Sequence, residues 1–488
     1  MNYYLLTPEL CVAGVAIAVI LLDLVVENKG ILRGLGIASL LACIAVSVSF
    51  WGRQDNAIFD GMLRADAFAI VFKVIFAGTA ILVLLASKDY VSKFARYEGE
   101  YYALVLLSAV GMMLMAASRD LITIYIALEL TSLSLYALVG FMKDAKSSEA
   151  GLKYLLLGSV ASAVLLYGMA LIFGMTGETG LSEIANLIPA GRIWETPVLL
   201  LGVVFLIAGF GFKIATVPFQ MWVPDVYEGA PTIVTAYLSV ASKAAGFAVI
   251  LRVFLEGFGG DSLPDWAMVF AVLSAISMMV GNLVAIAQSN IKRMLAYSSI
   301  AQAGYLMIGL AAVTRAGELG DAALFGPTGL IFFMGCYALA NLGAFIAIIA
   351  ISNKIESDNI ADYSGMGARA PGLALALTLF LVSLTGLPPT AGFLAKFYLF
   401  NAAVQHDLIW LVVIAVINTA ISAYYYLRVV KMMWFNPAAS VEKVPSSWPL
   451  RATLVITCIG VLFLFFYPSP LLDVAKEAAQ AVSTLVFP

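Results

Sequence analysis

The sequence predicts an all-α integral membrane protein of about fourteen transmembrane helices. Two inverted five-helix repeats are expected within it, with helices seven and twelve broken. Three observations predict this: too little charge to coat a globule, a succession of apolar runs each long enough to cross a bilayer, and two proline-rich interruptions at corresponding places.

Of the 488 residues, 62% are hydrophobic and only 12% are charged, and the mean hydropathy is +0.99. A soluble domain carries about a quarter of its residues as charges, because its surface must be solvated. Hydrocarbon is the solvent that suits this chain. The formal charge of -3 points to no strongly acidic or basic partner, and no basic patch for nucleic acid is present. Cys11, Cys43, Cys336 and Cys458 are scattered through apolar runs without a CxxC pair. Neither a metal site nor a disulfide framework is expected from them. The N-terminus has no basic stretch and no small-residue cleavage site after its first apolar run, so that run is expected to be retained as a helix.

A crossing helix needs about 20 apolar residues. Such segments fall near residues 5–24, 31–51, 66–87, 101–118, 120–141, 149–175, 197–226, 230–256, 266–287, 292–312, 323–351, 371–399, 405–434 and 449–467. They divide the chain into an N-terminal three-helix part (1–100), a first repeat of helices four to eight (101–260), a second, inverted repeat of helices nine to thirteen (261–436), and a C-terminal helix (437–488). No soluble domain interrupts them. Lys29, Arg33, Lys88, Lys93, Arg96, Lys143, Lys146, Lys292, Arg293, Lys354 and Arg369 all follow odd-numbered segments. Lys and Arg concentrate in cytoplasmic loops, so both termini are expected on the non-cytoplasmic side.

Segment seven contains Lys213 followed by Pro218, Pro224 and Pro231; segment twelve contains Pro388 and Pro389 followed by Lys396. Proline removes a backbone donor and clashes with the preceding turn, so each helix must be interrupted. Freed backbone groups are tolerated at membrane depth only inside protein or beside a wet cavity. The broken segments are five apart, an odd step, so they run in opposite directions. That is the pattern of an inverted repeat around a transport site.

Ionisable side chains within spans are costly and usually functional. Glu129 lies nine residues into segment five, Lys213 near the middle of segment seven and Lys243 half-way along segment eight. Burial disfavours the charged form of each, and a nearby opposite charge restores it. Glu129 and Lys213 are expected to pair, giving a group whose proton affinity follows its partner's position; the alternative is a static pair holding two helices together. Lys243 and Lys396 have no acidic neighbour in their own segments, which suits a relay, although Lys396 could equally be an anchor reaching the interface. Lys153, early in segment six, reads either as a relay member or as a boundary residue. Lys73, in segment three, is expected to be structural. Asp225 and Glu228 could open a proton path or solvate a loop. His406 is expected to open segment thirteen at the interface, and Tyr424, Tyr425 and Tyr426 with Arg428 and Lys431 read as an aromatic belt.

These residues resemble a known family. Glu129, Lys213 with the stretch 217–232, Lys243 within 239–243, the stretch 290–305 and the stretch 386–397 are similar to the N-type antiporter-like membrane subunits of respiratory complex I, NADH:quinone oxidoreductase. The resemblance runs the length of the chain. Two sister types place histidines around the helix-seven break; here the break carries Trp222, Pro224, Asp225, Tyr227 and Glu228 and no histidine. No long C-terminal extension is read either, and both features favour the N type. The resemblance implies a hydrophilic axis on which Glu129, Lys213, Lys243 and Lys396 relay protons, with Glu129 and Lys213 facing a neighbouring subunit. Quinone reduction elsewhere would drive the relay. It implies no cofactor in this chain, with NADH, FMN, iron–sulfur clusters and quinone handled by other subunits. Neighbouring antiporter-like subunits and the lipid bilayer of a bacterial plasma membrane are the expected partners. A cation/proton antiporter subunit and a non-pumping scaffold are the alternatives, with a solute carrier behind them. The electron donor stays open, because ferredoxin-linked relatives carry similar subunits.

Overall fold

The computed structural model describes residues 2–53, 57–91, 97–188, 196–259, 263–313, 323–438 and 442–483. Lys93 and Arg96, counted among the loop cations, lie outside them. The membrane helices are α1 (Thr7–Asp23), α2 (Lys29–Ser49), α3 (Ala67–Ala86), α4 (Glu98–Ala117), α5 (Leu121–Val139), α6 (Ala145–Thr176) and α7 (Pro197–Ile214). They continue with α8 (Thr232–Gly257), α9 (Leu263–Ile286), α10 (Ile291–Ala311), α11 (Phe325–Ile355), α12 (Pro371–Thr385), α13 (Ala391–Gln405), α14 (Ile409–Phe435) and α15 (Trp448–Phe466). A two-stranded hairpin, β1 (Ala57–Ile58) with β2 (Leu63–Arg64), precedes α3. Among the described residues, 13 helices are long and apolar enough to cross a membrane. Segment twelve is present as two shorter helices, α12 and α13.

Helix starts follow local chemistry. Asn28, Asp66, Asp120, Asp144 and Asn290 each accept a hydrogen bond from a backbone N–H in the first turn that follows. These caps satisfy donors that a helix start leaves orphaned. Packing relies on close approach of backbones, as expected where lipid is as apolar as the side chains. A Cβ on Gly281 would lie 2.6 Å from the Ala301 nitrogen, and one on Gly304 2.8 Å from the Met278 nitrogen. Bare glycines therefore let α9 and α10 touch.

α8 is the centre of the molecule and is wholly buried. It packs against α3, α4, α7 and α11. Two π-helical turns, Leu238–Ser242 and Val253–Gly257, flank its α-helical middle from Lys243 to Arg252. Such widened turns recur at functional sites.

Both breaks are present. Segment seven, read over 197–226 with an interruption at its prolines, has its first helix end at Ile214, and Ala215 follows in the left-handed region at φ 64°. A short helix, Val223–Gly229, then leads into α8. Lys213 is therefore in the last turn of α7 rather than mid-helix. α12 stops at Thr385, where Gly386 takes φ 88°. Segment thirteen begins at Ile409, so His406 closes α13 instead of opening the next helix, with Nδ1 2.7 Å from the Ala402 carbonyl oxygen. An added element, α16 (Ser469–Ser483), follows α15 and packs on α3 and α11. Its Glu477 accepts from Trp51 Nε1 at 2.9 Å.

The α12 break is tightly closed: a Cβ on Gly392 would lie 1.9 Å from the Ser383 carbonyl oxygen. Overpacking of this kind costs about 1–3 kcal/mol. Gly392→Ala is expected to reduce the chain that stays soluble on heating in detergent. Gly372→Ala, with nothing within 4 Å, should leave it unchanged.

Candidate functional site

Breaking a helix frees carbonyls, and the polar groups that take them define the site. At the α7 break, Trp222 Nε1 donates to the Phe212 carbonyl at 3.0 Å, and the Thr216 N–H to the Gly211 carbonyl at 2.9 Å. At the α12 break, Gln302 Nε2 donates to the Leu384 carbonyl at 2.8 Å, and Lys396 Nζ to the Thr385 carbonyl at 2.9 Å. An ammonium at the C-terminal end of a helix is favourably placed against the dipole.

Lys213 is 5% exposed, and its Nζ donates to Ser132 Oγ on α5 at 3.0 Å. The expected Glu129–Lys213 ion pair is not formed; Ser132 holds the amine instead. Glu129 lies one turn before Ser132 on α5, half-buried, with an Oε1 that has no hydrogen-bond partner. Its neighbours along the same face, Ile122, Ile126 and Leu133, are exposed. Glu129 thus borders the apolar outer face of α5 with its Oε1 buried and unpartnered, while Lys213 points inward.

A Cβ on Gly246 would meet Lys213 Cγ at 3.3 Å. This bare position, one turn from Lys243, brings the end of α7 against α8. Lys243 is 2% exposed. Its Nζ donates to Ser299 Oγ at 2.6 Å and also to the Ser299 carbonyl. Ser299 Oγ lies 3.1 Å from Tyr337 OH, which donates to the Ser239 carbonyl at 3.3 Å. Asn341 Nδ2 donates to Ser239 Oγ at 2.7 Å.

α10 carries this polarity onward. Ser298 and Ser299, Gln302 and Tyr305 recur at helical spacing on a buried helix. Ser298 bonds Tyr426 OH, Gln302 reaches the α12 break, and Tyr305 lies under Lys396, whose Nζ is 4.0 Å from the ring centroid. Thr419 Oγ1 donates to Tyr305 OH at 3.2 Å and lies 3.4 Å from Lys396 Nζ. Lys396 is 3% exposed, which overturns the alternative that it reaches the interface. Its amine is occupied inside the break.

Lys153 stands apart from this line. Its side chain is 44% exposed and meets Glu149 at 2.7 Å and Asp225 at 3.0 Å. Asp225 also pairs with Arg293 at 2.8 Å, and Glu228 with Arg293 at 3.1 Å and Lys146 at 3.2 Å. Of these, Lys146 and Glu228 line a polar cavity of about 370 Å³ together with Asp144, Lys292, Glu356 and Asp358. Lys292, read as a loop cation, is buried there; its Nζ donates to the Ala230 carbonyl at 2.8 Å and lies 3.8 Å from Asp358.

Other readings are corrected too. Tyr425 and Tyr426 are fully buried and only Tyr424 is exposed, because three consecutive residues cannot share one helix face. Tyr425 OH donates to Asn282 at 3.0 Å. Lys73 has a partner that its own segment does not reveal: it meets Glu9 of α1 at 2.6 Å, both side chains under 5% exposed. Sequence reading also passed over Arg252, Asp66 and Glu256. Arg252 and Glu256, four apart in an apolar run, were the visible signal. Among the described residues no group of His, Cys, Asp and Glu is arranged to hold a metal.

The membrane family described as NADH:quinone oxidoreductase/Mrp antiporter, TM, matches residues 118–422. That stretch contains Glu129, Lys153, Lys213, Lys243 and Lys396. NADH-quinone oxidoreductase subunit N of Dehalococcoides mccartyi is 47% identical over 98% of this chain and 99% of its own length. The chain belongs to the subunit N family. The subunit N of Heliobacterium modesticaldum is 43% identical over 99% of this chain and 100% of its own. A chain of the respiratory complex I from Thermus thermophilus superposes with a TM-score of 0.80 at 33% identity, covering 96% of this chain and 98% of that one. The chain is a multi-pass membrane protein of this family.

Removing one partner of a buried ion pair strands the other and costs about 3–5 kcal/mol, whereas replacing both with apolar groups is often neutral. Lys73→Met alone is therefore expected to lower the thermal stability of the detergent-solubilised protein. Combining it with Glu9→Leu should recover most of the loss. A double variant no more stable than the single would contradict the pairing.

Proposed function

We propose that this chain is the antiporter-like, proton-translocating membrane subunit of an NADH:quinone oxidoreductase. The observation that carries the reading is a set of three cations, Lys213, Lys243 and Lys396, buried with no carboxylate in ion-pair range among the described residues. Each is held by neutral oxygens: Ser132, Ser299, and the Thr385 carbonyl with Thr419. A proton on such an amine gains little Coulombic support, and its energy in a low-dielectric interior responds strongly to any charge brought near it. Glu129, on the outer face of α5, is placed to transmit such a charge from a neighbouring subunit to Lys213. From there the sequence Lys213, Lys243, Ser299, Gln302, Lys396 follows the polar side chains of α8, α10 and α13. Hydroxyls and an amide between the lysines give protons intermediate partners, with bridging water completing the gaps. Lys153, half-exposed in ion pairs with Glu149 and Asp225, belongs to entry rather than to the central line.

In this reading the chain acts as a translocase subunit without a redox centre of its own. NADH, FMN, iron–sulfur clusters and quinone are handled by other subunits, and quinone reduction supplies the driving force. The partners are other membrane subunits of the complex, including antiporter-like neighbours, and the lipid of a bacterial plasma membrane. Both termini face away from the cytoplasm. The division into residues 1–100, the repeats 101–260 and 261–436, and the closing 437–488 is part of the same reading. It is supported by a break in each repeat with a lysine beside it.

The test replaces Lys243 by methionine or glutamine in membranes holding the whole complex, with proton translocation and NADH-driven quinone reduction recorded together. Positioned proton-transfer groups contribute about 10²–10⁴-fold, so both rates should fall on the order of tenfold or more with the complex assembled. Normal pumping would leave Lys243 a packing residue and refute the relay.

A further inference from the structure

The two ends of α8 are built in opposite ways. At its start, Pro231 and Thr232 line the polar cavity that also holds Lys292. Lys243 lies eleven residues on, and its hydrogen bonds run toward Ser299, Tyr337 and Ser239. Beyond it, residues 244–251 are Ala, Ala, Gly, Phe, Ala, Val, Ile and Leu, all buried and without one polar side chain. The stretch ends at Arg252, which is 0% exposed.

Arg252 is the hub of a closed charge cluster. Its Nη1 and Nη2 donate to Asp66 Oδ2 and Oδ1 at 2.7 and 2.8 Å. Nη1 also donates to Glu256 Oε1 at 2.8 Å. Nε and Nη2 donate to the Ala116 carbonyl, in the last turn of α4, at 3.2 and 2.9 Å. Glu256 Oε2 accepts from Arg119 Nε at 2.5 Å, and the Phe68 ring lies 4.7 Å from the guanidinium carbon. Asp66 additionally caps α3 through the Ala69 N–H at 2.8 Å. The β1–β2 hairpin ties in alongside, with the Arg119 N–H donating to the Met62 carbonyl at 2.8 Å.

We infer that Arg252, Asp66, Glu256 and Arg119 form an electrostatic seal that denies protons on Lys243 an exit along the far half of α8. A proton crosses protein through groups that can give and take it or through water. The apolar stretch offers neither. At the cluster the guanidinium groups keep their protons, and all four carboxylate oxygens are already bonded to guanidinium donors. The uncommitted polar atom, Arg119 Nη2, is a donor on a permanent cation. With this end closed, the polar face of α10 is the open route from Lys243, and translocation is kept from short-circuiting.

The inference rests on Lys243 being a relay, but its test does not depend on turnover. The whole complex is reconstituted in liposomes holding a pH-sensitive dye, and the collapse of an imposed pH gradient is followed without NADH. Arg252→Gln, which takes the guanidinium away from Asp66 and from Glu256 Oε1 and leaves Asp66 Oδ2 without a donor, is expected to speed the collapse several-fold while NADH-driven quinone reduction continues; Arg252→Lys should leak much less. An assembled Arg252→Gln complex as tight as the parent would overturn the seal. If that variant does not assemble, Arg119→Gln is measured in its place, since it keeps the Arg252–Asp66 pair and frees only Glu256 Oε2. Faster collapse then supports the seal and an unchanged rate overturns it. Failure of the relay would show separately, as normal turnover-driven pumping by Lys243→Met.

Discussion

A helix that ends inside hydrocarbon leaves carbonyls that no water can reach, and each unsatisfied group there costs several kcal/mol. Much of this molecule answers that constraint. Pro218 and Pro388 with Pro389 require the two breaks, so donors must be brought to Phe212, Leu384 and Thr385 from elsewhere in the fold. Trp222, Gln302 and Lys396 supply them. At the second break the donor is itself a cation. The group that repairs the backbone is thus also a group that can carry a proton, and a stable break and a polar interior come from the same side chains.

The same constraint explains the role of α10. A helix buried on nearly every side has no solvent face for polar residues, so Ser298, Ser299, Gln302 and Tyr305 must point at partners. They find them on α8, α12, α13 and α14. Gly281 and Gly304 draw α10 against α9, and that contact fixes where its polar side points. Lys243 and Lys396 belong to different halves of the chain and are joined through this one helix.

The fold was largely legible because length and apolarity are local properties of a membrane sequence. Segment boundaries from 5–24 to 449–467 fall close to the observed helices, and proline chemistry placed both breaks. What composition hides is direction around the helix. Tyr425 and Tyr426 looked like Tyr424 until the register turned them inward, and Lys292 looked like a loop cation until the short helix Val223–Gly229 folded over it. Lys213, Lys243 and Lys396 stood out because each is a lone charge in an apolar run. Their partners did not: Ser132, Ser299 and Thr385 are ordinary residues that matter only through contacts made across the fold. Glu9 and Asp66 were missed for a related reason. Each lies at a helix start, where a carboxylate usually serves as a cap or a solvated end, and only tertiary contact turns it inward.

Those contacts sort the buried cations. Lys73 has Glu9 and Arg252 has Asp66 and Glu256; Lys292 is intermediate, bonded to the Ala230 carbonyl with Asp358 3.8 Å away. A carboxylate in ion-pair range repays part of the desolvation of both charges and fixes them in place. Such a pair holds its proton and its helices still. Lys213, Lys243 and Lys396 have hydroxyls, carbonyls and an aromatic face instead, which orient an amine without neutralising it. The difference lies in the partner rather than in depth, since all six are nearly inaccessible. A membrane protein that must hold some charges and move others can separate the two tasks by where it places its few buried acids. Here the acids sit at the ends and edges of the bundle, and the middle is left to neutral oxygens.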